Sequence, residues 1–230
     1  MKTVRFFQLF FSIIICSLFY SQIYAKSISL VIEQPSSFFG KKDVLVTQLK
    51  ISGVINKKTI ATINHLYPNI EKLDMRAVKI MAYTDENRVV YLANEIPTSA
   101  FIKKQKLKTV ILPHGVIRIG KGAFWNCPNL ESVILSNSVQ VIDKFAFQLC
   151  HKLSNITFPE SLESIGGASF AGCELLSTIY CRSKIPPLMP DWNPFPDVKS
   201  DACVIYVPEK SIEKYKKIPF LKNFQILAIR

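Results

Sequence analysis

Along most of the chain the hydrophobic positions recur with a period longer than a single helix or strand produces. A 23-residue unit runs four times without a gap, its copies beginning near Ile96, Ile119, Ile142 and Ile165. It places Phe101, Phe124, Phe147 and Phe170 at one phase, Leu107, Leu130, Leu153 and Leu176 at a second, and Val110, Val133, Ile156 and Ile179 at a third. Leu112, Leu135, Phe158 and Cys181 follow two residues later, while Cys127, Cys150 and Cys173 share a phase where the first copy has Lys104. Units this short cannot bury an apolar face alone and must do so against their neighbours, which predicts a solenoid. Val133-Ile134-Leu135 alternates with period two and predicts a short strand; equivalent strands then stack into a parallel sheet with about 4.8 Å between turns. The segment Lys121 to Cys127 leads into Phe124, Cys127 and Leu130, three apart, and predicts a short helical or 3₁₀ turn.

The run Ile-Gly-x-x-Ala-Phe-x-x-Cys-x-x-Leu-x-x-Val-x-Leu, Ile119 to Leu135, resembles the BspA-like leucine-rich repeat family. Ile165-Gly166 with Phe170, Cys173 and Leu176 repeats it, and the middle copy departs by carrying Asp143 for the glycine. Leu49-Lys50-Ile51 and Leu73-Asp74-Met75 resemble earlier strands of the family's N-terminal region, followed by an irregular insertion from Arg76 to Glu95. Pro186-Pro187, the stretch Cys203 to Pro208, and Tyr215 resemble its terminal unit, so both ends read as capped. The resemblance implies an α/β solenoid, a strand-dominated leucine-rich repeat right-handed superhelix with its parallel sheet on one face. The divisions expected are a signal peptide at 1–25, an N-terminal cap with irregular first repeats at 26–95, four repeats at 96–184 and a C-terminal capping unit at 185–230. The family is linked, in host-associated anaerobic bacteria, with adhesion and the binding of host proteins, and implies neither catalysis nor a cofactor.

The first 25 residues change the picture of location. Lys2 and Arg5 precede the apolar run Phe6 to Tyr20, and Ala25 offers a small residue for cleavage, the pattern of a secretory signal. Gln8, Ser12 and Ser17 interrupt the run, which falls short of the roughly 20 apolar residues of a membrane span. The expectation is an exported protein, periplasmic, cell-surface or extracellular, with no integral membrane segment after cleavage. Its formal net charge of +12 falls to +10 when Lys2 and Arg5 leave with the leader, which favours acidic partners. No run of basic residues alternates with aromatic ones, and export argues further against a nucleic acid.

Candidate chemistry is sparse. Gly115 to Gly122 imitates a phosphate loop but has Gly122 where a hydroxyl must hold magnesium. Ser211 and Lys214 match a nucleophile spacing without its companion motifs and read as a helix start capped by Ser211. His65, His114 and His151 fall at unrelated phases, and no metal-ligand spacing is present. Cys127, Cys150 and Cys173 lie on adjacent turns at a separation that a disulfide permits, and otherwise read as a buried column of thiols; Cys181 with Cys203 is a candidate disulfide joining the last repeat to the cap.

What remains is recognition. Residues between the inward strand positions point out of the sheet. One outward column reads Lys50, Asp74, Ile111, Ile134, Thr157, Tyr180 and Tyr206; its neighbour reads Lys72, Thr109, Ser132, Asn155, Thr178 and Val204. The first mixes aliphatic and aromatic residues at wet positions, the mark of an interaction surface. Asp74, Ile111, Ile134, Thr157, Tyr180 and Tyr206 are therefore the candidate ligand-binding residues for a protein or glycan, host-derived ligands included. The alternative is a structural or self-associating envelope component in which the same stripe meets a second copy; the oligomeric state stays open.

Overall fold

The computed structural model describes residues 26–35, 40–190 and 192–229. The expected secretory leader lies outside the described residues.

Three long parallel strands open the described residues: β1 (Lys26–Ile32), β2 (Val46–Ile55) and β3 (Lys72–Ile80). Leu49, Ile51, Leu73 and Met75 alternate inward and are buried. At Gly53 φ is +93°, and a Cβ there would stand 2.2 Å from the Ile32 carbonyl oxygen, so the close approach of β2 to β1 requires a residue without one. Between β2 and β3 the chain forms α1 (Lys57–Leu66), a helix the sequence reading did not anticipate. Ile60, Ile63 and Leu66 recur on its buried side, and Asn56 caps it, accepting from Thr59 N at 3.0 Å while Thr59 Oγ1 accepts from Asn56 N at 3.4 Å.

The segment from Arg76 to Glu95 is more regular than expected. Its first residues continue β3, and β4 (Tyr83–Thr84) then pairs with β5 (Val90–Tyr91) as an antiparallel hairpin. Asp85 closes the turn by accepting from Asn87 N and Val89 N, each at 2.9 Å.

Each repeat contributes two strands. The anticipated ones are β7 (Thr109–Ile111), β9 (Ser132–Ile134), β11 (Asn155–Phe158) and β13 (Thr178–Cys181). A second, unanticipated line consists of β6 (Glu95–Ile96), β8 (Arg118–Ile119), β10 (Val141–Ile142) and β12 (Ser164–Ile165), paired in parallel as a separate sheet. Thr109 pairs with Ser132, Asn155 with Thr178, and Ile119 with Ile142, so the backbone register steps by the 23 residues of the sequence repeat. The second strands are two residues long, too brief for alternation to reveal them. After β8 and β12 stand Gly120 and Gly166, where a Cβ would meet backbone of the preceding coil at 2.7 and 2.4 Å. Asp143 occupies this phase after β10, its carboxylate accepting both bonds of the Arg118 guanidinium at 2.7 and 2.8 Å.

The third line is the turn bearing the phenylalanines, and it is not helical. Ser99, Gly122, Phe145 and Ala168 have positive φ, as do Lys103, Asn126, Leu149 and Gly172. Two left-handed residues in each turn are incompatible with a right-handed helix. They redirect amides toward the next coil instead: Phe101 N donates to Ala123 O, Phe124 N to Ala146 O and Phe147 N to Ser169 O, at 2.7 to 2.8 Å.

Inside, Phe101, Phe124, Phe147 and Phe170 stack in a fully buried ladder with ring centroids 5.2 to 5.3 Å apart. Each such pair contributes about 1 kcal/mol beyond the area it buries. Phe195 adds a fifth rung at 5.3 Å, so the segment expected as a cap from 185 onward begins with another coil. Leu188 pairs with Ser164 at the edge of the second sheet, and Ala168 N donates to Asn193 O. The chain ends with β14 (Val204–Val207), α2 (Ile212–Lys216) and β15 (Gln225–Ala228). Ser211 precedes α2 but does not cap it through its side chain; its Oγ donates to Lys184 O at 2.9 Å, and the buried Tyr215 hydroxyl donates to Ser183 O at 2.9 Å.

Candidate functional site

The outward face of the longer strands is divided. β1, β2, β3, β7 and β9 form one parallel sheet in that order, and β11, β13, β14 and β15 form another. β9 and β11 lie side by side without joining in a ladder. The candidate column is accordingly two rows. In the first, Lys50 stands beside Asp74, Asp74 beside Ile111 and Ile111 beside Ile134. In the second, Thr157 stands beside Tyr180 and Tyr180 beside Tyr206.

The two rows differ in chemistry. Asp74 Oδ1 accepts from both the backbone N and the Nε of Arg76 at 3.1 Å. Burial pushes its carboxyl up, but the Arg76 hydrogen bonds and the Arg76 and Lys50 charges together outweigh that and hold it below its ordinary value. A cleft of about 250 Å³ runs past Lys50, Lys72, Asp74 and Ile111. In the second row Tyr180 and Tyr206 stack on one another, centroids 4.9 Å apart and planes 18° from parallel. They line a groove of about 520 Å³ with Leu227, Ala228 and Ile229. Tyr180 is 38% exposed and Leu227 39%, so this surface is apolar and wet.

Leu227 stands beside Tyr206 in the register of β14 and β15. The sequence reading missed it because the step from Tyr206 to Leu227 is shorter than the repeat; the alternation of Ile226, Leu227 and Ala228 was the available signal. Between the rows, at the junction of β9 and β11, a cleft of about 280 Å³ is lined by Ile134, Asn155, Thr157 and Arg182 among others.

The described cysteines are all buried free thiols. Cys127, Cys150 and Cys173 donate through Sγ to the carbonyls of Phe101, Phe124 and Phe147 at 3.1 to 3.3 Å, the buried column the phase predicted. Burial pushes the Cys127 and Cys173 thiols up to about 12 and Cys203 to about 11, with Cys150 and Cys181 also raised. The bridge considered between Cys181 and Cys203 is not formed. Thr178 pairs with Val204, which puts Cys203 level with Ser177. Four residues of strand, about 13 Å at 3.3 Å each, then separate it from the level of Cys181, beyond the roughly 7 Å between Cα atoms that a disulfide spans. At the head of the column Lys104 replaces the thiol. Its Nζ donates to Asn64 O at 3.1 Å, and burial lowers its amine to about 8.

Among the described residues no group of three or more His, Cys, Asp or Glu side chains is placed to hold a metal ion, and no helix is long and apolar enough to cross a membrane. His65 and His114 are exposed, and His151 approaches Glu174 at 3.8 Å.

Comparison with known proteins bears on this geometry. The family profile for the BspA type leucine rich repeat region matches residues 92–188 in six copies. A leucine-rich repeat protein from Bacteroides capillosus is 35% identical over 44% of this chain and 72% of its own, with a TM-score of 0.37. The leucine-rich repeat protein of T. pallidum is 20% identical over 64% of this chain and 78% of its own, with a TM-score of 0.47. A leucine-rich cell surface protein from Faecalibacterium prausnitzii is 16% identical over 80% of this chain and 54% of its own, with a TM-score of 0.39. No curated protein matches the sequence.

Proposed function

Because the chain belongs to the BspA-type leucine-rich repeat family, we propose that it is an exported, non-catalytic binding protein that recognises a protein ligand through the C-terminal half of its strand face. The observation that carries this reading is the outward row of half-buried Thr157 and Tyr206 with exposed Tyr180 and Leu227, held in register by four paired strands. Stacking covers one face of each tyrosine with the other. With those ring faces already occupied, the groove they line with Leu227, Ala228 and Ile229 suits the aliphatic and aromatic side chains of a protein better than the flat face of a sugar. Tyrosines already packed lose little conformational entropy on binding.

Location at the cell surface or beyond is part of the same proposal, supported by the leader-like first 25 residues and by the surface protein among the similar structures. The test is surface plasmon resonance of the purified protein against host matrix and plasma proteins, with Tyr180→Ala/Tyr206→Ala alongside. Saturable binding that the variant loses supports the reading; binding unchanged in the variant rejects it. The self-association alternative draws on the same outward row. It predicts a mass, by light scattering after size exclusion, that rises with concentration and returns to monomer in the tyrosine variant.

A further inference from the structure

Neighbouring coils of the strand face are laced together by recurring backbone bonds. Where β7 meets β9, Ser132 N donates to Lys108 O at 3.1 Å and Leu112 N to Ile134 O at 3.0 Å; where β11 meets β13, Thr178 N donates to Ser154 O at 3.3 Å. Among the described residues the corresponding bonds between β9 and β11, Asn155 N to Glu131 O and Leu135 N to Thr157 O, are not made. The Leu135 and Asn155 amides therefore bring unused donors to this junction, and both residues line the cleft of about 280 Å³ that lies there.

Arg182 lines the same cleft. Its backbone carries on from β13, with its N donating to Phe158 O at 3.1 Å. Its side chain therefore leaves on the face of Tyr180, about 6.6 Å further along the chain. Arg182 is exposed, and among the described residues its guanidinium makes neither an ion pair nor a hydrogen bond. No acid lines the cleft, and the nearby Glu160 is paired with Lys184 at 3.2 Å. Asn137 and Thr157 add a side-chain amide and a hydroxyl that are likewise without partners among the described residues.

We propose that this cleft takes a carboxylate of the protein ligand, an aspartate or glutamate side chain on an extended segment laid across the strand face, an inference that rests on that face being the protein-binding surface. Guanidinium and carboxylate match in charge and in planar, bidentate geometry. The free Leu135 and Asn155 amides suit the carbonyls of an extended peptide. Ile134, 52% exposed, offers an apolar contact to a neighbouring side chain. Side chains on one face of an extended segment recur about 6.6 Å apart, the same step that separates Arg182 from the row of Tyr180. A glycan bearing carboxylates shares the charge but finds no aromatic ring in the lining on which to stack.

The test probes the purified protein with an array of hexapeptides in which glutamate alternates with tyrosine or isoleucine, each beside its glutamine counterpart, and with polygalacturonate as the glycan comparison. The expected result is saturable binding of the glutamate peptides, at least about tenfold tighter than of their glutamine counterparts. Arg182→Gln should lose this preference. Lys184→Gln, an equal change of charge two residues away, should keep it. The proposal is overturned by no peptide binding, by equal binding of the glutamine peptides, by binding indifferent to Arg182→Gln, by equal loss in Lys184→Gln, or by Arg182-dependent binding of polygalacturonate in place of the peptides. Host-protein binding separates this outcome from the strand-face reading. If Tyr180→Ala/Tyr206→Ala abolishes it while Arg182→Gln leaves host proteins and peptides equally bound, the tyrosine row stands and the carboxylate site falls. If the glutamate peptides bind through Arg182 while host-protein binding ignores the tyrosines, the carboxylate site stands and the tyrosine row falls.

Discussion

The two halves of the strand face are separate sheets, each with its own register, and they differ in almost everything that register carries. From β1 to β9 the outward row presents Lys50 and Asp74 before its two isoleucines, and the carboxylate is engaged by Arg76. From β11 to β15 the same phase presents Thr157, two stacked tyrosines and Leu227. Backbone periodicity thus fixes where side chains point and leaves their chemistry to vary coil by coil, which is how a solenoid acquires a local binding site on a uniform frame.

Beneath the surface the halves are also held differently. The phenylalanine ladder passes under the junction of β9 and β11 without a break, with Phe147 between Phe124 and Phe170. The N-terminal strands rely instead on length, on α1 and on close backbone approach at Gly53. The largest expected effect therefore follows Phe147→Ala, which should cost about 3 to 5 kcal/mol in urea unfolding. A loss within the surface range, below about 1 kcal/mol, would mean that the ladder does not join the two halves. Gly53→Ala strikes the other half. Positive φ and contact with the Ile32 carbonyl together predict about 2 to 4 kcal/mol, and a neutral result would refute the tight apposition of β1 and β2.

The ladder was legible in the sequence because deeply buried side chains repeat at an invariant phase, and so was the thiol column. The second sheet was not, since a two-residue strand has no period to read. Nor was the turn conformation: φ is positive at Phe145, Ala168 and Leu149, which carry none of the glycine signal that marks Gly122 and Gly172. Helix α1 was within reach through Asn56, Ile60, Ile63 and Leu66. The candidate site was half legible, because Tyr180 and Tyr206 keep a strand pattern while the split between β9 and β11 is a matter of tertiary spacing.

A smaller effect distinguishes the repeats from the N-terminal strands by pH. All the described cysteines lie from Cys127 onward, and burial raises every one of their thiols above the ordinary value of 9. Above pH 9 the unfolded chain gives up thiol protons that the folded chain retains, so stability should fall as pH rises from 9 toward 11 or 12. Lys104 works in the opposite direction, since its folded amine is lowered to about 8 and its stability contribution grows with rising pH up to the ordinary 10.5. Replacing Cys127, Cys150 and Cys173 by alanine should flatten the decline in melting temperature across this range; an unchanged slope would mean that these thiols are not desolvated. The smallest stability effect belongs to Tyr180→Ala/Tyr206→Ala, on the order of 1 kcal/mol for partly exposed rings.

That mildness makes the tyrosine pair the sharpest probe of function. The decisive measurement sets Tyr180→Ala/Tyr206→Ala against Lys50→Ala/Asp74→Ala in binding to the same panel of host proteins at low and high salt. Recognition by the C-terminal half predicts saturable, salt-resistant binding that the tyrosine variant loses and the Lys50/Asp74 variant keeps. The opposite pattern, or binding that disappears with salt and ignores both variants, would contradict the account.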